Sequence, residues 1–144
     1  MLLSRSAEYA VRAMTFLARQ PAGKLSGAKE IAQAEHIPIP FLWKLLQHLT
    51  RRKLIRSFKG LRGGYQLALP ADTIALNMVL NAIDGPDSLT GCVLGLPQCD
   101  EANACPLHEA WKQLRSSMNA MLEQNTLADL ASIAEKRRAQ VQEV

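Results

Sequence analysis

The chain has 144 residues, 48% hydrophobic but only 5% aromatic, so one core of Leu, Ile, Val, Ala and Met is expected, with at most a helical extension beside it. No apolar run approaches the ~18 residues a membrane-spanning helix needs, and Arg5, Glu8 and Arg12 break the N-terminal stretch as no signal peptide allows, so a cytoplasmic protein is expected. The net charge of +4 is unevenly distributed: His36 to Ala71 holds seven Lys and Arg and no Asp or Glu, which leaves the rest of the chain at −3, and such a one-signed stretch suits a polyanion.

Leu3, Ala7, Ala10, Met14 and Leu17 recur at helical spacing and predict an amphipathic helix over 4–19, closed by Gln20-Pro21-Ala22-Gly23. Ser26 is the expected N-cap of a short helix over 27–35 with Ala28, Ile31 and Ala32 inward. His36-Ile37-Pro38-Ile39-Pro40 breaks the chain, and a second helix runs from there to about Lys53 with Leu42, Leu45, Leu46 and Leu49 buried. Two helices about a tight turn, the second basic, read as a helix-turn-helix.

Ile55, Phe58, Tyr65, Leu67 and Leu69 then flank Lys59-Gly60-Leu61-Arg62-Gly63-Gly64. Alternation beside a glycine-rich turn predicts a β-hairpin, and a basic hairpin behind a recognition helix is a wing. A short helix with Leu76, Val79, Leu80 and Ile83 buried ends near Asp84, and 85–104 reads as loop. Cys105-Pro106 is expected to open a long helix to about Glu123. Leu107, Trp111, Leu114, Met118 and Met121 form a two-heptad seam on it, fit for pairing with a second copy. Thr126 is the expected cap of a last helix through Ala134, with a frayed polar tail beyond. The expected fold is mainly α with a small β-hairpin wing: a winged helix-turn-helix over 1–84, a ligand loop over 85–105, and dimerisation and C-terminal helices over 106–144.

Two constellations carry chemistry. On the recognition helix, Pro40, Phe41, Trp43, Lys44 and Gln47 are placed to meet base edges, whereas Arg51, Arg52 and Lys53 suit phosphates, which fix register rather than sequence. Lys59 and Arg62 occupy the wing tip, within reach of a minor groove or the backbone. The second constellation is Cys92-x6-Cys99-x5-Cys105-x2-His108. Three thiols in a reducing compartment argue against a disulfide framework. Thiolates select iron–sulfur clusters or zinc, and long spacers without a CxxC knuckle suit a cluster better than a single ion. Glu8 reads as an ordinary helix acid. No phosphate-binding glycine loop, Ser-His-Asp set or HExxH is present, so nothing points to an enzyme.

Taken together, Glu8-Tyr9-Ala10-Val11-Arg12-Ala13-Met14, Ile31-Ala32, Leu54-Ile55 with Lys59-Gly60 and Gly63-Gly64-Tyr65, and the three cysteines with His108 and Trp111 are specific. Over roughly residues 1 to 135 the chain resembles the Rrf-two family of bacterial regulators, which includes the cluster regulator IscR, the nitric-oxide sensor NsrR and the iron regulator RirA. The resemblance implies a homodimer on a palindromic double-stranded DNA operator, its long C-terminal helices crossing at the dimer contact. It implies a regulator, expected to be a repressor, that senses iron, redox state or nitric oxide through an iron–sulfur cluster on Cys92, Cys99 and Cys105. The fourth ligand divides the family: His108 with a 2Fe-2S cluster in an IscR-like site, or Glu8 of the partner subunit with a 4Fe-4S cluster in an NsrR-like one. An acid at position 8 tips the expectation toward Glu8 and 4Fe-4S. Alternatives are a zinc- or thiol-based regulator of the same fold, or an iron–sulfur carrier. The first cysteine spacer is one residue longer than the IscR spacing, and Pro40 and Trp43 stand where small or polar residues are common in the family.

Overall fold

The computed structural model describes residues 3–142. Helix α1 (Arg5–Ala18) starts at Ser4, whose hydroxyl accepts the Ala7 N–H at 3.0 Å and so satisfies one of the amides a helix start leaves open. Its inward residues Ala7, Ala10, Ala13, Met14, Phe16 and Leu17 are buried, and three alanines let neighbouring helices approach closely. Helix α2 (Ala28–Glu35) ends on His36 in the left-handed conformation, φ 53°. Helix α3 (Ile39–Arg51) then starts with Pro40 in its first turn, where a missing N–H costs nothing. Its buried stripe is the expected Leu42, Leu45, Leu46 and Leu49.

Strands β1 (Ile55–Phe58) and β2 (Gly64–Leu67) pair antiparallel in the register Ile55↔Leu67 through Phe58↔Gly64. A 3-10 turn (Ala71–Thr73) leads to α4 (Leu76–Asp84); α5 (His108–Gln124) and α6 (Leu127–Gln142) complete the order. Met14, Ile31, Leu42, Leu46, Leu49, Ile55, Ile74, Val79 and Leu127 belong to one core, so α6 begins inside the winged helix rather than beside it. Backbone bonds from Leu127 N–H to the Ile74 carbonyl (3.0 Å) and Leu76 N–H to the Asn125 carbonyl (2.9 Å) secure it there. A smaller cluster of Ala7, Leu80 and Leu122 fastens α5 to α1 and α4. Among the described residues, no helix is long and apolar enough to cross a membrane.

Four local expectations are corrected. Ser26 does not cap α2; Gly27 holds that position. Ser26 is fully buried and exchanges both backbone bonds with Tyr65 (3.0 and 2.8 Å), a one-residue third strand on the wing sheet. Its hydroxyl finds no partner among the described residues, the cost of burying a residue chosen for its backbone placement. Helix α5 starts at His108, three residues later than expected, because Cys105 to Leu107 form a turn closed by His108 N–H on the Cys105 carbonyl (3.0 Å). The expected five-residue seam splits: Met118 is buried in its own chain and Trp111 half-buried, while Leu107, Leu114 and Met121 stay exposed at 46–54%. Finally, 136–142 is helical rather than frayed. Its Ala, Lys, Arg and Gln are strong helix formers with no Gly or Pro among them. The last two positions of the expected tail, 143 and 144, lie outside the described residues.

Candidate DNA-reading face and thiol loop

Residues 40, 43, 44, 47 and 51 keep the helical three-and-four spacing, so Pro40, Trp43, Lys44, Gln47 and Arg51 share one solvent face of α3. All five are exposed, as are Phe41, Arg52, Lys53, Lys59 and Arg62. Phe41 lies at the edge of that face, its ring edge-on to Tyr9 of α1 with centroids 5.4 Å apart. The Arg12 guanidinium lies 5.5 Å from the centroid of the same Tyr9 ring and pairs with Glu35 of α2 at 3.8 Å. These contacts fix the start of α3 against α1 and α2. His48 points away from the exposed face: its Nε2–H donates to the Ala82 carbonyl at 2.5 Å.

The wing turn is closed by the Gly63 N–H donating to the Gly60 carbonyl at 3.0 Å. A Cβ on Gly63 would collide with the Phe58 carbonyl oxygen, and one on Gly64 would lie 2.9 Å from the Ser26 backbone. Glycine is therefore required at both positions, at the second because β2 runs directly against Ser26.

Cys92, Cys99 and Cys105 are free thiols, each half-buried on the segment between α4 and α5. Cys99 Sγ lies 3.5 Å from Nδ1 of His108, which is itself buried. The Cys92 thiol is held below the ordinary value of 9.0 by the N–H groups of Leu94 and Leu96 first, with desolvation opposing, then by Cys105 and the Gly95 N–H. Gly95 adopts φ 74°, and a left-handed residue in a turn aims successive N–H groups at one anion. Three soft thiols and an imidazole on one segment form a donor set that fits an iron–sulfur centre. Among the described residues, no three Cys, His, Asp or Glu side chains converge closely enough to hold a single metal ion. Glu8 is half-buried in the first turn of α1, where the helix dipole favours a carboxylate, and is not gathered with the thiols of its own chain.

The thiol segment is strapped to α5. Trp111 Nε1–H donates to the Gly91 carbonyl and Arg115 to the Thr90 carbonyl, both at 2.8 Å, and Lys112 pairs with Glu101 at 2.9 Å. At its other root, the Ser4 hydroxyl meets the Asp84 carboxylate at 2.7 Å, joining the start of α1 to the end of α4. Sequence reasoning missed Ser4, Asp84, Thr90 and Arg115; only the Trp111 position was singled out, and without its partner.

A family model described as an iron-dependent transcriptional regulator, Rrf2, matches residues 3–133. The chain is 43% identical over 133 residues to a Mycobacterium tuberculosis protein named as an HTH-type transcriptional regulator, covering 91% of this chain and 81% of that one. It is 31% identical over 132 residues to the HTH-type transcriptional regulator IscR of Sodalis glossinidius, covering 92% and 79%. Among solved structures, CymR, the global cysteine regulator of B. subtilis, superposes with a TM-score of 0.77 at 26% identity, covering 91% of this chain and 96% of that one. The winged helix and its hairpin are thus those of a known class of DNA-binding regulators and not of an enzyme, and the chain belongs to the Rrf2 family of transcriptional regulators.

Proposed function

We propose that this regulator acts as a homodimeric repressor on a palindromic operator and senses iron, redox state or nitric oxide through an iron–sulfur cluster held by Cys92, Cys99 and Cys105. The division of labour runs along the chain: 1–84 reads DNA, 85–105 holds the cluster, and 106–144 joins the copies. The observation that carries the reading is the strapped segment that holds all three thiols, on which Cys99 Sγ meets His108 Nδ1 at 3.5 Å. The Cys99–His108 approach supports His108 as fourth ligand of a 2Fe-2S centre. The NsrR-like alternative is Glu8 of the partner subunit with a 4Fe-4S centre, supported by a half-buried carboxylate with no ion pair among the described residues. When bound, the cluster supplies a link between thiols that iron loss, oxidation or nitric oxide can sever.

The chain's own residues provide the relay. Trp111, Arg115 and Lys112 make the loop and α5 one unit. Leu107, in the turn that opens α5, and Leu114 and Met121 on the helix present an exposed stripe at heptad spacing to a second copy. Half-sites one DNA turn apart require reading helices about 34 Å apart or a multiple of it, so a change in how α5 pairs changes how well both helices seat. A coupling of about 1–3 kcal/mol would alter affinity roughly 5- to 150-fold.

Protein purified without oxygen is expected to be coloured and to contain iron and acid-labile sulfide. Absorption spectra and iron counts on Glu8→Ala and His108→Ala then identify the fourth ligand by which substitution depletes the cluster. Colourless protein with stoichiometric zinc refutes the cluster. A thiol-based reading has its own support in the three free thiols, each half-buried on one segment. It requires protein free of both metals whose DNA affinity responds to thiol oxidants.

A further inference from the structure

The tip of the wing carries a side chain that charge alone does not explain. Within the Gly60–Gly63 turn the two corner residues are Leu61 and Arg62. Leu61 is exposed to 109% of its reference area, whereas the other exposed large hydrophobic residues among those described range from 37% to 76%. Corner positions of tight turns favour Gly, Pro, Asn, Asp and Ser, each for a backbone reason, and a leucine has none of those reasons. The turn is also stiff. Gly63 is packed so closely on the Phe58 carbonyl that a methyl has no room, Gly60 stands at φ 102°, and the Gly63–Gly60 bond closes the loop. Leu61 is therefore held outward rather than left on a slack loop.

Its surroundings select the partner. Lys59 and Arg62 flank it, Arg56 lies on the adjoining strand, and no acid occurs between His36 and Ala71. Gly60, Gly63 and Gly64 contribute no side chains, so the tip is a bare backbone ribbon bearing one isobutyl group and one guanidinium. A minor groove is about 6 Å wide and carries the phosphates on its two rims. Leu, like Phe, Ile, Met and Pro, is a side chain that enters a base step from the minor groove, unstacks it in part and bends the duplex.

We infer that Leu61 is an apolar wedge: it enters the DNA minor groove beside each half-site, with Lys59 and Arg62 on the flanking phosphates, and bends the duplex. The inference rests on the DNA-binding reading and adds a residue that selects deformable steps instead of hydrogen-bonding a base. It predicts a preference for flexible pyrimidine–purine steps where the wing lands.

The test uses the full-length protein and a 40-base-pair duplex selected by the wild-type protein from a random-sequence pool. Affinity is read by fluorescence anisotropy across a salt series, and bending by energy transfer between dyes on the duplex ends. Leu61→Ala is expected to weaken binding about tenfold with the salt slope unchanged and the bend reduced, while Arg62→Ala lowers the slope. Leu61→Lys separates wedge from charge: it is expected to raise the salt slope and lose the bend. Leu61→Ala with wild-type affinity and bend, or Leu61→Lys binding more tightly with the bend intact, overturns the wedge. Both substitutions sit on a fully exposed corner, and circular dichroism should match wild type. If the wild-type protein enriches no duplex from the pool, the DNA-binding reading itself fails, an outcome distinct from failure of the wedge alone.

Discussion

A single methyl group at the wing tests how tightly this hairpin is specified. Gly63→Ala would drive carbon into the Phe58 oxygen. It is expected to cost about 2 kcal/mol in urea unfolding and to lower DNA affinity with it; an unchanged midpoint would show that the turn can be built another way. Gly91→Ala, which meets nothing within 4 Å, should leave stability within about 0.5 kcal/mol. At Cys92 the amides of Leu94 and Leu96 favour thiolate in the folded chain. Because the folded pKa is the lower one, that stabilisation is present above the unfolded value and lost as pH falls through the folded one. In metal-free Cys99→Ser/Cys105→Ser protein, iodoacetamide labelling should therefore reach half its maximal rate below pH 9.0, moving upward in urea. A midpoint that does not move on unfolding counts against the amide cradle. The three thiols and the exposed basic residues of α3 and the wing were legible in the sequence, because residue type alone marks them. The influence of the Leu94 and Leu96 amides on Cys92 was not, since it depends on how the turn at Gly95 folds, nor was the burial of Ser26, which depends on where β2 runs.

Helix α3 illustrates what periodicity can and cannot specify. Its four leucines are all buried, and Leu46→Ala, at 0% exposure, should cost about 2–5 kcal/mol by thermal or urea unfolding. A loss under about 1 kcal/mol would mean the core closes around the gap. The opposite face should behave as chemistry without stability: Arg51→Ala and Arg52→Ala each remove about 0.9 from the log–log salt slope of DNA binding if each side chain holds one phosphate. The helices were legible because apolar spacing survives burial, whereas their ends were less so. Cys-Pro looks like a first turn, which puts the expected start of α5 at Cys105, but the chain spends those residues on a turn that brings His108 to Cys99. The expected end of α6 falls at Ala134 because the residues beyond it are mostly polar. The helix continues with 135–141 wholly exposed, so propensity rather than packing sustains it.

For the whole molecule, the expected dimer seam is half absorbed by the chain's own core, and the remainder is what a second copy can use. Leu114→Glu, at a position 54% exposed, should leave helix content unchanged but shift sedimentation to the monomer and abolish operator binding. Dimers that persist would move the contact elsewhere. The split was illegible because a heptad pattern alone does not say which of its residues the chain's own core takes, and only the packing of α5 shows that Met118 is one of them. The swap of backbone bonds between Ser26 and Tyr65 has a broader consequence. It welds the hairpin to the threshold of α2, and α2, α3 and β1 share one core, so wing and reading helix are braced as one casting. In the proposed dimer, regulation then works like callipers: the jaws keep their shape, and what changes is the gap between them.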